Sequence, residues 1–178
     1  MLFRSPFLEA GSSYTGSYDR LIPRDGIAAA GLAGMGRFPG PAAGFTEQVF
    51  LFRARSDGRG RAHQLLASAD RGLAAHVSFR ADTLPYAILW KRCAAVEEGY
   101  VAGLNPCSDL PNTRSVERQG GRLARIAPGA ETVFDVSIEF LEGRRRVEDA
   151  AAEIDTIGAD AAAAEVGRPA DFDWLSRT

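Results

Sequence analysis

The sequence predicts a mainly β protein, an antiparallel β-sandwich followed by one C-terminal helix. Three observations carry that expectation. Short apolar runs recur every 10 to 20 residues between positions 47 and 141, separated by Asp, Gly, Pro and Asn, the spacing of an all-β sandwich or barrel. Phe134, Val136, Ile138 and Phe140 alternate with Asp135, Ser137 and Glu139, a period of two that places the four apolar side chains on one face of a strand. Beyond residue 142 the period changes, with Val147, Ala151, Ile154 and Ile157 at helical spacing.

Taken in order, the elements form one domain over 1–178 with three parts. Residues 1–46 hold loose clusters such as EAGSSYTGS and GLAGMGRFPGPAAG, whose Gly, Ser and Pro punctuate regular structure, so long connections with one or two short strands are expected. Residues 47–141 carry seven strand-like runs: EQVFLFRA, AHQLLASA, GLAAHVSFR, YAILWKR, YVAGL, GRLARIA and ETVFDVSIEF. Pro128 and Gly129 supply a turn before the last of them. Residues 142–178 give one helix, over about 144–157 and ending near Gly158, then a tail that docks through Phe172 and Trp174.

Composition narrows the function classes. In 178 residues, 46% are apolar and 25% charged, as in ordinary globular domains. A net charge of −2, with the arginines scattered, argues against a nucleic-acid partner. Cys93 and Cys107 form no CxxC pair, so neither a disulfide framework nor a metal site is expected. No run reaches the roughly 20 apolar residues that span a bilayer, and the first residues lack a secretory pattern. No membrane association and a cytoplasmic location are therefore expected.

Catalytic signatures are missing. The chain has no phosphate loop, dinucleotide glycine fingerprint, GxSxG or HExxH, and no cofactor is expected. Its two histidines, His63 and His76, lie in strand-like runs without a carboxylate or Cys at ligand spacing and read as partly exposed strand residues.

The stretch GYVAGLNPCSDLPNTR…GGRLARIAPGAE, at residues 99–131, resembles a late strand and loop of the galactose-mutarotase-like superfamily, the aldose 1-epimerases and their bacterial relatives. GFTEQVFLF, RGLAAHVSFRADTLPYAILWK and PGAETVFDVSIEF follow the order of that family's sugar-binding segment, paired strands and closing strand. The resemblance covers roughly residues 36–142. It implies the C-terminal half of a large antiparallel supersandwich, and hence a fragment or a shortened relative that forms a homodimer through exposed sheet edges.

The resemblance also implies a chemistry and a set of residues. The family interconverts the anomers of a free sugar, a general base removing the anomeric proton while a general acid protonates the ring oxygen. Asn105 stands where relatives have the base, a Glu, and an amide is not basic enough to replace it. The opening MLFRSPFLEAGS resembles the segment just after the family's acid, a His, which places that residue at or before Met1. Glu47 matches the acid that binds sugar hydroxyls, or else is a surface Glu at a strand start. Trp90 is a stacking platform for a pyranose or a core aromatic. Lys91, the only lysine, is grouped with these substrate-binding residues although it faces the opposite side of the same strand. Arg114 donates to a sugar oxygen or pairs with Asp109. Cys107 and Ser108 are loop residues with no neighbouring base, and neither is assigned as a nucleophile. Two readings follow: an aldose 1-epimerase-like isomerase that is impaired or truncated, or a non-catalytic carbohydrate-binding or structural domain.

Overall fold

Two sheets pack face to face in the computed structural model, which describes residues 1–3, 7–159, 165–169 and 171–173. The strands are β1 (Leu2–Phe3), β2 (Ser13–Gly16), β3 (Tyr18–Pro23), β4 (Gln48–Ala54), β5 (Arg61–Ala67), β6 (Leu73–Arg80), β7 (Tyr86–Arg92), β8 (Val101–Cys107), β9 (Val136–Glu142) and β10 (Glu165–Val166). The helices are α1 (Gly26–Ala30), α2 (Arg114–Gln119) and α3 (Arg144–Ala159). A six-stranded sheet runs β1-β8-β7-β4-β3-β10 and a four-stranded sheet runs β2-β5-β6-β9. Every pairing is antiparallel except β10 with β3.

The alternation of each strand sets which side chains meet. Phe50 and Phe52 of β4, Ala87 and Leu89 of β7, and Ala102 and Leu104 of β8 face inward, against Ala62 and Leu66 of β5 and Ala75, Val77 and Phe79 of β6. Full burial of a Val, Leu or Phe side chain among these contributes about 1.5–3 kcal/mol. The opposite face of the larger sheet carries Ile22, Val49, Leu51, Tyr86 and Ile88, partly covered by Leu110. The outer face of the smaller sheet, with Leu65, Ala67, Ala74 and Leu141, is covered by α3 through Val147, Ala151 and Ile154. Gly143, at φ +95°, makes the reversal from β9 into α3 in a conformation that a side chain would strain.

Six of the seven expected runs contain strands, four of them at nearly their expected limits, and the three differences have local causes. GRLARIA forms no strand: Arg122 turns inward to an ion pair with Glu117, and residues 121–127 pair with no strand. Its apolar positions 123, 124, 126 and 127 do not alternate. The closing strand begins only at Val136, and its apolar face is largely exposed, with Ile138 49% and Phe140 64% exposed. Strand β8 runs through Asn105 and Pro106 to Cys107 rather than ending before them. Pro106 pairs with Ala87 on one side, and β1 accompanies β8 only at Ala102 and Gly103 on the other. The proline therefore lies on an edge where no ladder donor is needed.

The first 46 residues are more ordered than their composition suggests, with three strands and a short helix that Asp25 caps by accepting from the Ala28 amide at 2.9 Å. Helix α3 continues past Gly158 to Ala159. Phe172 reaches the cluster on the outer face of the larger sheet, while Trp174 lies outside the described residues. Among the described residues, no helix is long and apolar enough to cross a membrane.

The two histidines meet on the outer face of the smaller sheet. His63 Nδ1 is 3.1 Å from His76 Nε2, and His63 Nε2 is 3.4 Å from Asp57 Oδ2. A single tautomer set serves all three groups: His76 donates to His63, and His63 donates to Asp57. Burial, then the neighbouring His63, holds His76 below its ordinary value of 6.5, against the opposing pull of Glu139 and Glu153 and with a further push from Arg61. The unfolded chain therefore takes up this proton first as pH falls, and the folded state loses stability from about pH 6.5 downward, above the range where the carboxylates titrate. Urea midpoints measured from pH 8 to 5 are expected to fall in wild type and to fall less in His76→Gln. Equal slopes would show that His76 does not drive the loss.

Candidate functional site: a cleft on the six-stranded sheet

The antiparallel register of three strands builds a cleft from residues far apart in the chain. Val49 lies opposite Trp90, and Ile88 opposite Asn105, so Trp90, Ile88, Val49 and Asn105 share the outer face of the larger sheet. Arg24, directly after β3, and Glu47, directly before β4, come together because these two strands pair antiparallel. With Pro111 they line a cleft of about 400 Å³, within the range of small-ligand sites.

Glu47 is the polar centre of this cleft. Its Oε2 accepts from Trp90 Nε1 at 2.9 Å and its Oε1 accepts from Arg24 at 3.1 Å. Arg24 is in turn held by Asp25 at 3.1 Å. The Trp90 hydrogen bond, followed by that of Arg24, lowers the Glu47 carboxyl below its usual range, so the group is ionised at neutral pH. A carboxylate has about four acceptor positions; two are used here, and its side chain is still 33% exposed. The group can therefore accept from two further hydroxyls.

Trp90 is half-buried, its indole anchored at one end by Glu47, and Gly103 makes room for it. A Cβ at Gly103 would lie 3.4 Å from Trp90 and 2.9 Å from the Asn105 amide nitrogen, so the glycine in β8 lets ring and amide settle side by side. Asn105 Oδ1 accepts from the Met1 amine at 2.8 Å.

Other residues expected at the site lie elsewhere. Lys91 points to the opposite side of β7, where it is 3% exposed and donates to the carbonyls of Gly34 and Arg37 over the Phe38 ring. Its ammonium, lowered by burial, pins the loop of residues 31–39 to the end of the core and does not reach the cleft. Arg114 is exposed at the start of α2 and is absent from the cleft lining. The Cys107 thiol is pushed up to about 11, chiefly by burial, which leaves it a poor nucleophile at neutral pH. Among the described residues no group of three His, Cys, Asp or Glu side chains is placed to hold a metal ion.

Beneath the rim is a buried ion pair that no local pattern announces. Arg122 donates to Glu117 at 2.8 and 3.1 Å. Glu117 also accepts from the Asn112 side chain at 2.8 Å and the Leu110 amide at 3.2 Å, and Arg122 donates to Asp173 at 2.7 Å. This network holds the segment that carries Leu110 onto the sheet and Pro111 to the cleft.

Residues 2–140 match the family described as a domain of unknown function, DUF4432. The chain belongs to that family. No curated protein matches it significantly. This DUF4432 chain is similar in structure to a candidate aldose 1-epimerase from Klebsiella pneumoniae subsp. pneumoniae, solved as a crystal structure at 1.90 Å, with a TM-score of 0.88 and 26% identity. The similarity covers 95% of the chain but 44% of that protein, so the DUF4432 chain spans less than half its relative's length. The aldose 1-epimerase resemblance, and a β-sandwich as its fold, therefore stand on structure as well as on sequence.

Within the cleft of this DUF4432 chain, Glu47, Trp90 and Asn105 were recognisable from sequence, whereas Arg24 was not. It is one of many scattered arginines, and the Arg-Asp pair at 24–25 resembles any helix start. Only the β3–β4 pairing aims it at Glu47.

Proposed function

We propose that the cleft binds the face of a monosaccharide, and that in this chain it binds without catalysing anomer exchange. The observation that carries the reading is the ionised Glu47, anchored by Trp90 and Arg24 beside a half-exposed indole and an amide. A vicinal pair of sugar hydroxyls suits the free acceptor positions of the carboxylate. The apolar C–H face of a pyranose suits the indole. Asn105 donates or accepts as a third hydroxyl requires. The likeness to a candidate aldose 1-epimerase supports this class of ligand over others that fit an acidic, aromatic cleft.

The second reading, an active aldose 1-epimerase, asks for a base and an acid. Asn105 supplies no base, and Glu47 is already ionised and offers no proton. His63 and His76 lie on the outer face of the other sheet, across the sandwich from the cleft. Arg24, Glu47, Trp90 and Asn105 can bind and orient a sugar, but none is placed as the proton donor to a ring oxygen. The substitution at residue 105 thus favours binding.

Titrating glucose and galactose while following tryptophan fluorescence tests the proposal. An open cleft offering one face of contacts is expected to bind with a dissociation constant on the order of millimolar, about 4 kcal/mol. Glu47→Gln removes a charged acceptor worth about 1.5 kcal/mol or more and is expected to weaken binding about ten-fold. Trp90→Phe abolishes the fluorescence response if the indole is the platform. A wild-type chain silent to both sugars, or a response untouched by Glu47→Gln, rejects the reading.

A further inference from the structure

The strand at one end of the smaller sheet, with Phe134 just before it, carries an apolar face that the described residues leave largely exposed. Phe134, Val136, Ile138 and Phe140 are 50%, 40%, 49% and 64% exposed, although their neighbours on β6 across the register, Ala75, Val77 and Phe79, are fully buried. The stripe is thus a continuation of the interior beyond the point where the larger sheet stops. At exposures of this kind, side chains of this size leave on the order of 400 Å² of apolar surface in water, comparable to the largest patch of a typical monomer, which is often functional.

The strand edge is open as well. β9 pairs only with β6 and ends its sheet, so one row of its backbone donors and acceptors has no ladder partner among the described residues. VSIEFLE contains no Lys, Pro or Gly to blunt this edge, and its charges are the two carboxylates Glu139 and Glu142. Aromatic contacts tie the stripe to the neighbouring edge of the other sheet: Phe7 stacks on Phe140 at 5.9 Å and meets Phe3 of β1 edge-on at 6.1 Å.

We propose that β9 pairs with β9 of a second copy of this chain, antiparallel about a two-fold axis at Ile138, joining two four-stranded sheets into one of eight. The residues themselves select this register. With Ile138 opposite Ile138, Val136 faces Phe140 on the apolar side, while Ser137 faces Glu139 and Asp135 faces Leu141 on the other, so no like charges stand opposite. Shifting the axis to Ser137 keeps apolar pairs but sets Asp135 against Glu139. These acids are already engaged within one copy: Asp135 pairs with Arg61 at 3.2 Å and Glu139 with Arg146 at 2.9 Å. The polar face therefore adds little net negative charge to the contact. Antiparallel pairing through a shared edge is an isologous interface, which closes at two copies and forms no fibre.

Light scattering on the purified chain after gel filtration, at micromolar concentration, is expected to give twice the 19.1 kDa chain mass. Ile138→Lys sets two ammonium groups opposite each other and is expected to weaken association at least about ten-fold. Circular dichroism checks that the variant is folded, as expected for a position 49% exposed. Oxidation is expected to crosslink Ile138→Cys as a dimer and to leave Ser137→Cys uncrosslinked. A monomeric wild type, a dimer that persists in folded Ile138→Lys, or a crosslink in Ser137→Cys without one in Ile138→Cys each overturns the proposal.

Discussion

Arg122→Ala is expected to lower the unfolding free energy by about 3–5 kcal/mol, the loss that follows when one partner of a buried ion pair is removed and the other stays behind. Glu117 and Arg122 side chains are 1% and 3% exposed. Deleting the guanidinium leaves a buried carboxylate whose remaining donors among the described residues are Asn112 and the Leu110 amide. Arg122→Lys should recover little, because an ammonium cannot make the two-point contact that the guanidinium makes. Replacing both partners, as in Glu117→Leu with Arg122→Met, is expected to recover most of the loss, since the penalty arises from the stranded charge. The pair also depends on pH. Glu117 lies below its usual value of 4.5 in the fold, despite burial, because Arg122, Asn112 and the Leu110 amide favour its charged form. Its contribution is therefore present above about pH 4.5 and is lost as pH falls through the lowered value. Urea unfolding at neutral pH measures the effect. A loss under about 1 kcal/mol for Arg122→Ala would mean that the network closes over the gap.

The second large effect is a missing one. Freshly dissolved α-glucose or α-galactose is expected to mutarotate at the buffer-catalysed rate in the presence of this chain, and Asn105→Glu alone is not expected to change that. General acid and general base each contribute about 10²- to 10⁴-fold; the one carboxylate in the cleft, Glu47, is engaged by Trp90 and Arg24, and no cleft residue is placed as the acid. Restoring a carboxylate at position 105 returns one partner while the ring oxygen still lacks a proton donor. It also sets a second acid in the cleft beside Glu47, whose pairing with Arg24 and Trp90 keeps it ionised. Polarimetry of wild type, Asn105→Glu and Glu47→Gln decides the question. Wild-type activity that disappears in Glu47→Gln would assign the base to Glu47. Activity gained in Asn105→Glu would require a proton donor that these residues do not provide.

Sequence alone determined what depends on local repetition. A period of two over a few residues decides which side chains share a face of a strand, and a change to helical spacing decides where α3 lies, because both are properties of the backbone before any packing occurs. Glu47, Trp90 and Asn105 were legible because they sit within or beside such strands and follow a recognisable order. The tertiary structure decided everything that depends on which strands become neighbours. Pairing of β3 with β4 brought Arg24 to Glu47. Folding of the segment after β8 buried Glu117 against Arg122 and turned an expected strand into an irregular stretch. The same apolar alternation marks the end of β6, where Ala75, Val77 and Phe79 are fully buried, and β9, whose inward face is largely exposed. Periodicity reports which side chains want cover, but only the arrangement of distant segments determines whether anything supplies it.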